Sequence, residues 1–187
     1  GYLVAHLAGN VLIFQGQEAF NAYAAGLHSI HGFVLIELAL ALVFIVHIWT
    51  AISLTIDNRK ARPVGYQVKK RQSPLSALIM IWSGLIVLAF LAVHVVGLRF
   101  GPIDTHPAGV FGVMTDQLTN PIIMVIYVLG VVLLAPHLKH GIQSSLRSVG
   151  LSHDGYLKMV NSISIALATV LTIGFAVIPL YIFAMKG

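Results

Sequence analysis

His6, His47, His94 and His140 each stand inside an otherwise apolar stretch, at gaps of 41, 47 and 46 residues. A titratable ring in hydrocarbon is costly, and its default reading is a functional group that meets a partner. Neutral imidazole is a common metal ligand and an axial ligand of haem iron. For one such ring, a hydrogen bond to a neighbouring helix competes on equal terms with ligation. Four rings, one per stretch, fit two haem irons, each clasped between two histidines. Cysteine is absent. That excludes disulfides, cysteine-ligated iron–sulfur clusters and haem attached through C-x-x-C-H within these residues.

The elements that must position these rings are membrane helices. Of the 187 residues, 58% are hydrophobic and only 9% charged. Apolar runs of about 20 residues mark transmembrane helices. The spans are expected at about residues 1–16, 32–56, 75–98, 121–146 and 159–184, a single all-α domain in which five helices form a transmembrane bundle around two b-type haems. The first run, Tyr2 to Phe14, is short for a bilayer core of roughly 30 Å, so the start of the first helix is expected to be missing, and no signal-peptide pattern is visible. Between spans lie a polar segment, Gln15 to His31, a basic loop, Asp57 to Pro74, a Gly/Pro-rich loop, Arg99 to Asn120, and a polar turn, Arg147 to Lys158. Pro121 suits the first turn of the fourth span. No linker, low-complexity segment or internal repeat stands out.

Net charge is +5, but its distribution speaks for topology rather than nucleic acid. Nine of the eleven basic residues (Arg59, Lys60, Arg62, Lys69, Lys70, Arg71, Lys139, Arg147 and Lys158) fall on one side, and only Arg99 and Lys186 on the other. The positive-inside rule makes the first side cytoplasmic. His6 and His94 then lie in the outer half of the bilayer, and His47 and His140 in the inner half. The two layers differ by roughly 10–20 Å at the rise of an α-helix. His6 is expected to face His94 and His47 to face His140, with each ring's other nitrogen bonded to a carbonyl one turn back.

Gly9, Gly97 and Gly141 accompany these histidines. They could let a flat macrocycle approach the backbone, while plain helix packing explains any one of them. Depth leaves His137, after Pro136, as a rival to His140. His28, His31, His106 and His153 read as solvated or interfacial rings. Tyr2, Trp49, Trp82, Tyr127 and Tyr181 read as packing or interface aromatics.

At this point His6-Leu-Ala-Gly-Asn10, the central His47 and His94, and the run from His137-Leu-Lys-His140-Gly-Ile-Gln-Ser-Ser to Gly150-Leu151 resemble the di-haem cytochrome b membrane-anchor subunit of succinate:quinone oxidoreductases. These are bacterial succinate dehydrogenases and fumarate reductases with a single five-helix anchor. The resemblance covers essentially the whole chain, and the His-Gly-x-Gln-Ser run is its most specific part. It implies that His140, before glycine, is the ligand rather than His137. It also implies that His47 and His140 hold a proximal haem b and His6 and His94 a distal one. Further implications are a flavoprotein subunit with covalent FAD and an iron–sulfur subunit docked on the cytoplasmic face of a prokaryotic plasma membrane. Electrons would pass between those clusters and a membrane quinone, expected to be menaquinone, in the tricarboxylic acid cycle and respiratory chain. The subunit itself would bind no succinate. The basic loop suits docking, and equally anionic lipid.

Glu37 is the carboxylate within an apolar span. Desolvation there favours a neutral or proton-exchanging group, so Glu37, with His28 or His31, is a candidate for proton exchange at an outer quinone pocket. A neutral carboxyl bonded to a neighbouring helix is the equal alternative, and a proximal quinone site competes with the distal one. Arg99 is placed for distal haem propionates and Lys139 and Arg147 for proximal ones, although snorkelling at helix ends explains the same positions. Two other classes remain open. A cytochrome b of a hydrogenase or formate dehydrogenase would cluster its ligands on fewer helices. A small proton-coupled transporter would show inverted repeats and broken helices.

Overall fold

The computed structural model describes residues 1–61 and 80–186. The basic positions Arg62, Lys69, Lys70 and Arg71 and the expected start of the third span at 75–79 lie outside them. The described residues form helices joined by turns, with no strand among them. In chain order these are α1 (Tyr2–Asn10) running into a 3-10 segment (Val11–Gln15), α2 (Gln17–His28), α3 (Phe33–Lys60), α4 (Met80–Arg99), α5 (Gly109–Leu118), α6 (Pro121–Ser148) and α7 (Asp154–Lys186).

The helices α3, α4, α6 and α7 are each long and apolar enough to cross a bilayer, and the Tyr2–Gln15 run is shorter. Their outward faces carry exposed large apolar side chains such as Leu35, Trp49, Trp82 and Ile122. That is the surface of a chain solvated by lipid, because water would leave such a patch unstable. The protein is a multi-pass membrane protein.

α6 and α7 pack most extensively, α4 lies against α6, and α1 against α7. Close approach is built from glycine: a Cβ at Gly130 would run into the Phe90 ring, and one at Gly174 into Leu7. Small residues let helices touch where no hydrophobic effect drives them together. α3 touches little but α4 and buries none of its residues.

The tightest core lies at one end, where Ile13, Phe20, Met114, Leu118, Tyr127, Ile178 and Ile182 converge. Here α2 and α5, both short, form a cap. The sequence reading left both segments as polar or loop, since neither is a spanning run. Their helicity is tertiary. Gly16 and Gly109, at φ +94° and +58°, make the turns into them, a backbone region glycine enters at little cost. Asn21 on α2 then holds the first turn of α5: its Nδ2 donates to the Ala108 carbonyl at 2.9 Å, and its Oδ1 accepts the Phe111 N–H at 3.0 Å. This satisfies a donor that the helix start leaves open. At α6, Asn120 does this locally, accepting from Ile122 and Ile123 at 2.9 and 3.3 Å ahead of Pro121.

Candidate functional site: two levels of paired imidazoles

α1 and α4 carry His6 and His94 to the same level. Their ring centroids lie 5.8 Å apart with planes at 86°. Tyr2 and Phe175 flank His6 at 5.4 and 5.6 Å, and Phe90 and Tyr127 flank His94 at 5.7 and 5.6 Å. The sequence reading singled out neither Phe90 nor Phe175. Both are ordinary apolar residues; Phe90 lies one turn before His94 on α4 itself, and the packing of α7 on α1 brings Phe175 to His6.

Toward the other end of the bundle, α3 presents His47 to α6. The ring it meets is that of His137, at 6.1 Å and 88°; among the described residues no ring contact joins His47 to His140. His137 follows Pro136, which removes a helical donor. Its Nδ1 lies 3.3 Å from Ser83 Oγ, and its ring edge lies over Gly84 of α4. His140, one turn on, keeps a buried Nδ1 with no partner among the described residues, and so does His94. A buried polar atom left unpaired calls for an explanation.

Among the described residues the expected bond from each ligand ring to a carbonyl one turn back is not seen. The structure gives that bond to His28 instead, whose Nδ1–H donates to Ala24 O at 2.8 Å. His6 Nδ1 lies 3.5 Å from the Asn10 amide, which also donates to the His6 carbonyl at 2.8 Å. The glycines also serve packing. Gly9 seats the Tyr23 ring and Gly97 the Gln117 amide, which donates to the Gly97 carbonyl, whereas Gly141 has open space beside it.

The pairs can be tested against an axially ligated haem. Two nitrogens at about 2 Å from a shared metal put the ring centroids roughly 6 Å apart, and both planes contain the ligand axis, so a perpendicular pair is allowed. His6 and His94 stand at such a separation, and at the other level the ring at that separation from His47 is that of His137 rather than His140. Among the described residues no group of three or more His, Cys, Asp or Glu could hold a metal ion. Paired rings are too few for a closed zinc site, but a porphyrin supplies its own equatorial donors and asks only two of the protein. The donor set fits haem.

Glu37 is not a lone carboxyl. Arg99 forks onto it, with Nε to Oε1 at 2.8 Å and the second nitrogen to Oε2 at 3.1 Å. This bidentate pair ties α3 to the end of α4. It answers the expectation of a neutral, proton-exchanging group, and it occupies the Arg99 fork that was expected to face a propionate. His28 lies against Phe33 at 5.3 Å, and His31 is exposed in the turn before α3. Lys139 is half-buried and Arg147 exposed near the far end of α6. His153 accepts the Gly155 N–H at 3.1 Å and so caps α7. His106, read as a loop residue, pairs with Asp116 at 3.0 Å. Comparison with protein-family models, with characterised proteins and with solved structures finds no match to this chain.

Proposed function

We propose that this chain is the di-haem cytochrome b anchor of a succinate:quinone oxidoreductase, with His6 and His94 holding the distal haem and His47 and His140 the proximal one. The observation that carries the reading is histidine at two levels of the bundle, His6 with His94 at 5.8 Å, and His47 beside the histidines of α6, its ring 6.1 Å from that of His137. Haem, when bound, supplies one-electron redox chemistry. The chain's own residues do the rest. The imidazoles fix each site's axis and depth. Phe90, Tyr127 and Phe175 wall the first level from water, and burial and axial ligation together tune the potential. His137, bonded to Ser83, orients α6 against α4 and sets the inner wall, while the unpaired nitrogen of His140 stands ready for a partner.

The basic side would face the cytoplasm and dock the flavoprotein and iron–sulfur subunits, with quinone exchanged from the bilayer. The test is purification from the native membrane. The expected result is a reduced-minus-oxidised b-type spectrum together with a copurifying subunit bearing covalent flavin. A b-type spectrum with a hydrogenase or formate dehydrogenase subunit would move the assignment to that class, and a chain without haem would overturn it.

A further inference from the structure

α1 ends at Asn10, whose amide reaches back one turn to His6. Its Nδ2 donates to the His6 carbonyl at 2.8 Å and stands 3.5 Å from His6 Nδ1. A carbonyl only accepts, so the atom that meets it must be the amide nitrogen and not the oxygen. The same NH2 group therefore faces the ring. In this arrangement Nδ1 is the acceptor, and the hydrogen of the neutral ring sits on Nε2.

The ring is braced, and the amide is the part that can turn. Tyr2 stacks on His6 at 5.4 Å with planes at 16°, and Phe175 and His94 stand at 5.6 and 5.8 Å. Asn10 is half-buried, and the last torsion of an amide side chain is broad and roughly two-fold. Giving up the 2.8 Å bond leaves no orphan on the backbone, because inside the helix the His6 carbonyl also receives the Asn10 backbone N–H. A turned amide would bring Oδ1, an acceptor, to Nδ1. The exchange is one hydrogen bond for another.

We propose that Asn10 is the positioning residue of His6: its amide has two settings, one that holds the ring's hydrogen on Nε2 and one that draws it to Nδ1 and frees Nε2 for a metal. The inference rests on the di-haem reading for the identity of the group that is ligated. The hydrogen passes from one ring nitrogen to the other, so the imidazole stays neutral and no proton is gained or lost. Bonding the second nitrogen to an acceptor fixes a ligand's tautomer and raises its basicity. His94, on the facing helix, keeps a buried Nδ1 with no partner among the described residues. The two sides of this level are therefore not equivalent, and the switch lies on α1.

The test compares wild type with Asn10→Ala and Asn10→Asp in the purified full-length protein, by transfer of haem to excess apomyoglobin, with the thermal midpoint read on the same samples. Alanine offers no acceptor, and one haem per chain should leave at least about tenfold faster, the scale of losing a ligand's outer partner. Ionised aspartate accepts without donating and should hold that haem at least as long as wild type. If Asn10 only ties the end of α1, its donation to the His6 carbonyl is what counts. Both variants lack that donation, so both would lower the midpoint and shed haem alike. That result, or wild-type loss rates in both variants, overturns the proposal. A second readout needs no haem. In the chain labelled with nitrogen-15 histidine and made without haem, His6 is identified by the signal missing in His6→Gln. Its Nδ1 should be bare in wild type and carry hydrogen in Asn10→Asp; the same tautomer in both overturns the proposal. A wild type purified without haem sinks the di-haem reading and leaves the tautomer result standing, whereas two haems with unchanged tautomers do the reverse.

Discussion

Imidazole brings two nitrogens into hydrocarbon, and each must be bonded or accounted for. At His137 one nitrogen already meets Ser83. At His94 and His140 a buried nitrogen has no partner among the described residues. These contacts do not choose between the two rings, because a ligand ring keeps its second nitrogen for such a bond; the assignment of His140 is the one the resemblance implies. His140→Ala is expected to lose one haem per chain, whereas His137→Ala keeps both and lowers only the thermal midpoint, by pyridine haemochrome assay and scanning calorimetry. A His137→Ala variant that loses a haem would transfer the ligand role to it. Packing makes a second residue-scale prediction. Gly130→Val forces a side chain into Phe90 and should cost about 1–3 kcal/mol, the range for overpacking, read from denaturation in detergent. The histidines were legible in the sequence because a polar ring stands out in apolar text. The His106–Asp116 pair was not, because a spacing of ten residues across a loop and a short helix matches no period.

Elements were legible in proportion to their apolar length. The long runs declare themselves by hydropathy, and four of them are the spanning helices. α2 and α5 did not, because a short, mixed sequence is a marginal helix in isolation and takes its stability from packing. Their joint is Asn21, which bonds α5 from outside it. Asn21→Ala leaves a helix-start donor and a carbonyl without those bonds and should cost about 1–3 kcal/mol. Hydrogen exchange should then rise in α5 and spare α7. Uniform protection across both would show that the cap does not depend on this side chain. α3 presents the opposite case. With no buried residue, it is held at one end by the Glu37–Arg99 fork and meets α6 through the His47–His137 rings. Such a helix is suited to lie beside a flat cofactor that supplies the contacts its own side chains lack.

The whole molecule is a bundle with paired rings at two depths and a compact cap at one end. The proposed stack of two redox centres along the membrane normal would use that arrangement, each haem held at its own level between helices that run side by side. By the positive-inside rule the charge asymmetry of the sequence would orient the proposed stack, with the cap on the outer side. The central claim is that these rings hold two irons. Haem stoichiometry of the purified chain tests it most directly, with wild type compared to His94→Ala. The account predicts two haems b per chain falling to one, with the helical content by circular dichroism unchanged. Two haems retained in His94→Ala, or none in the wild type, would contradict it.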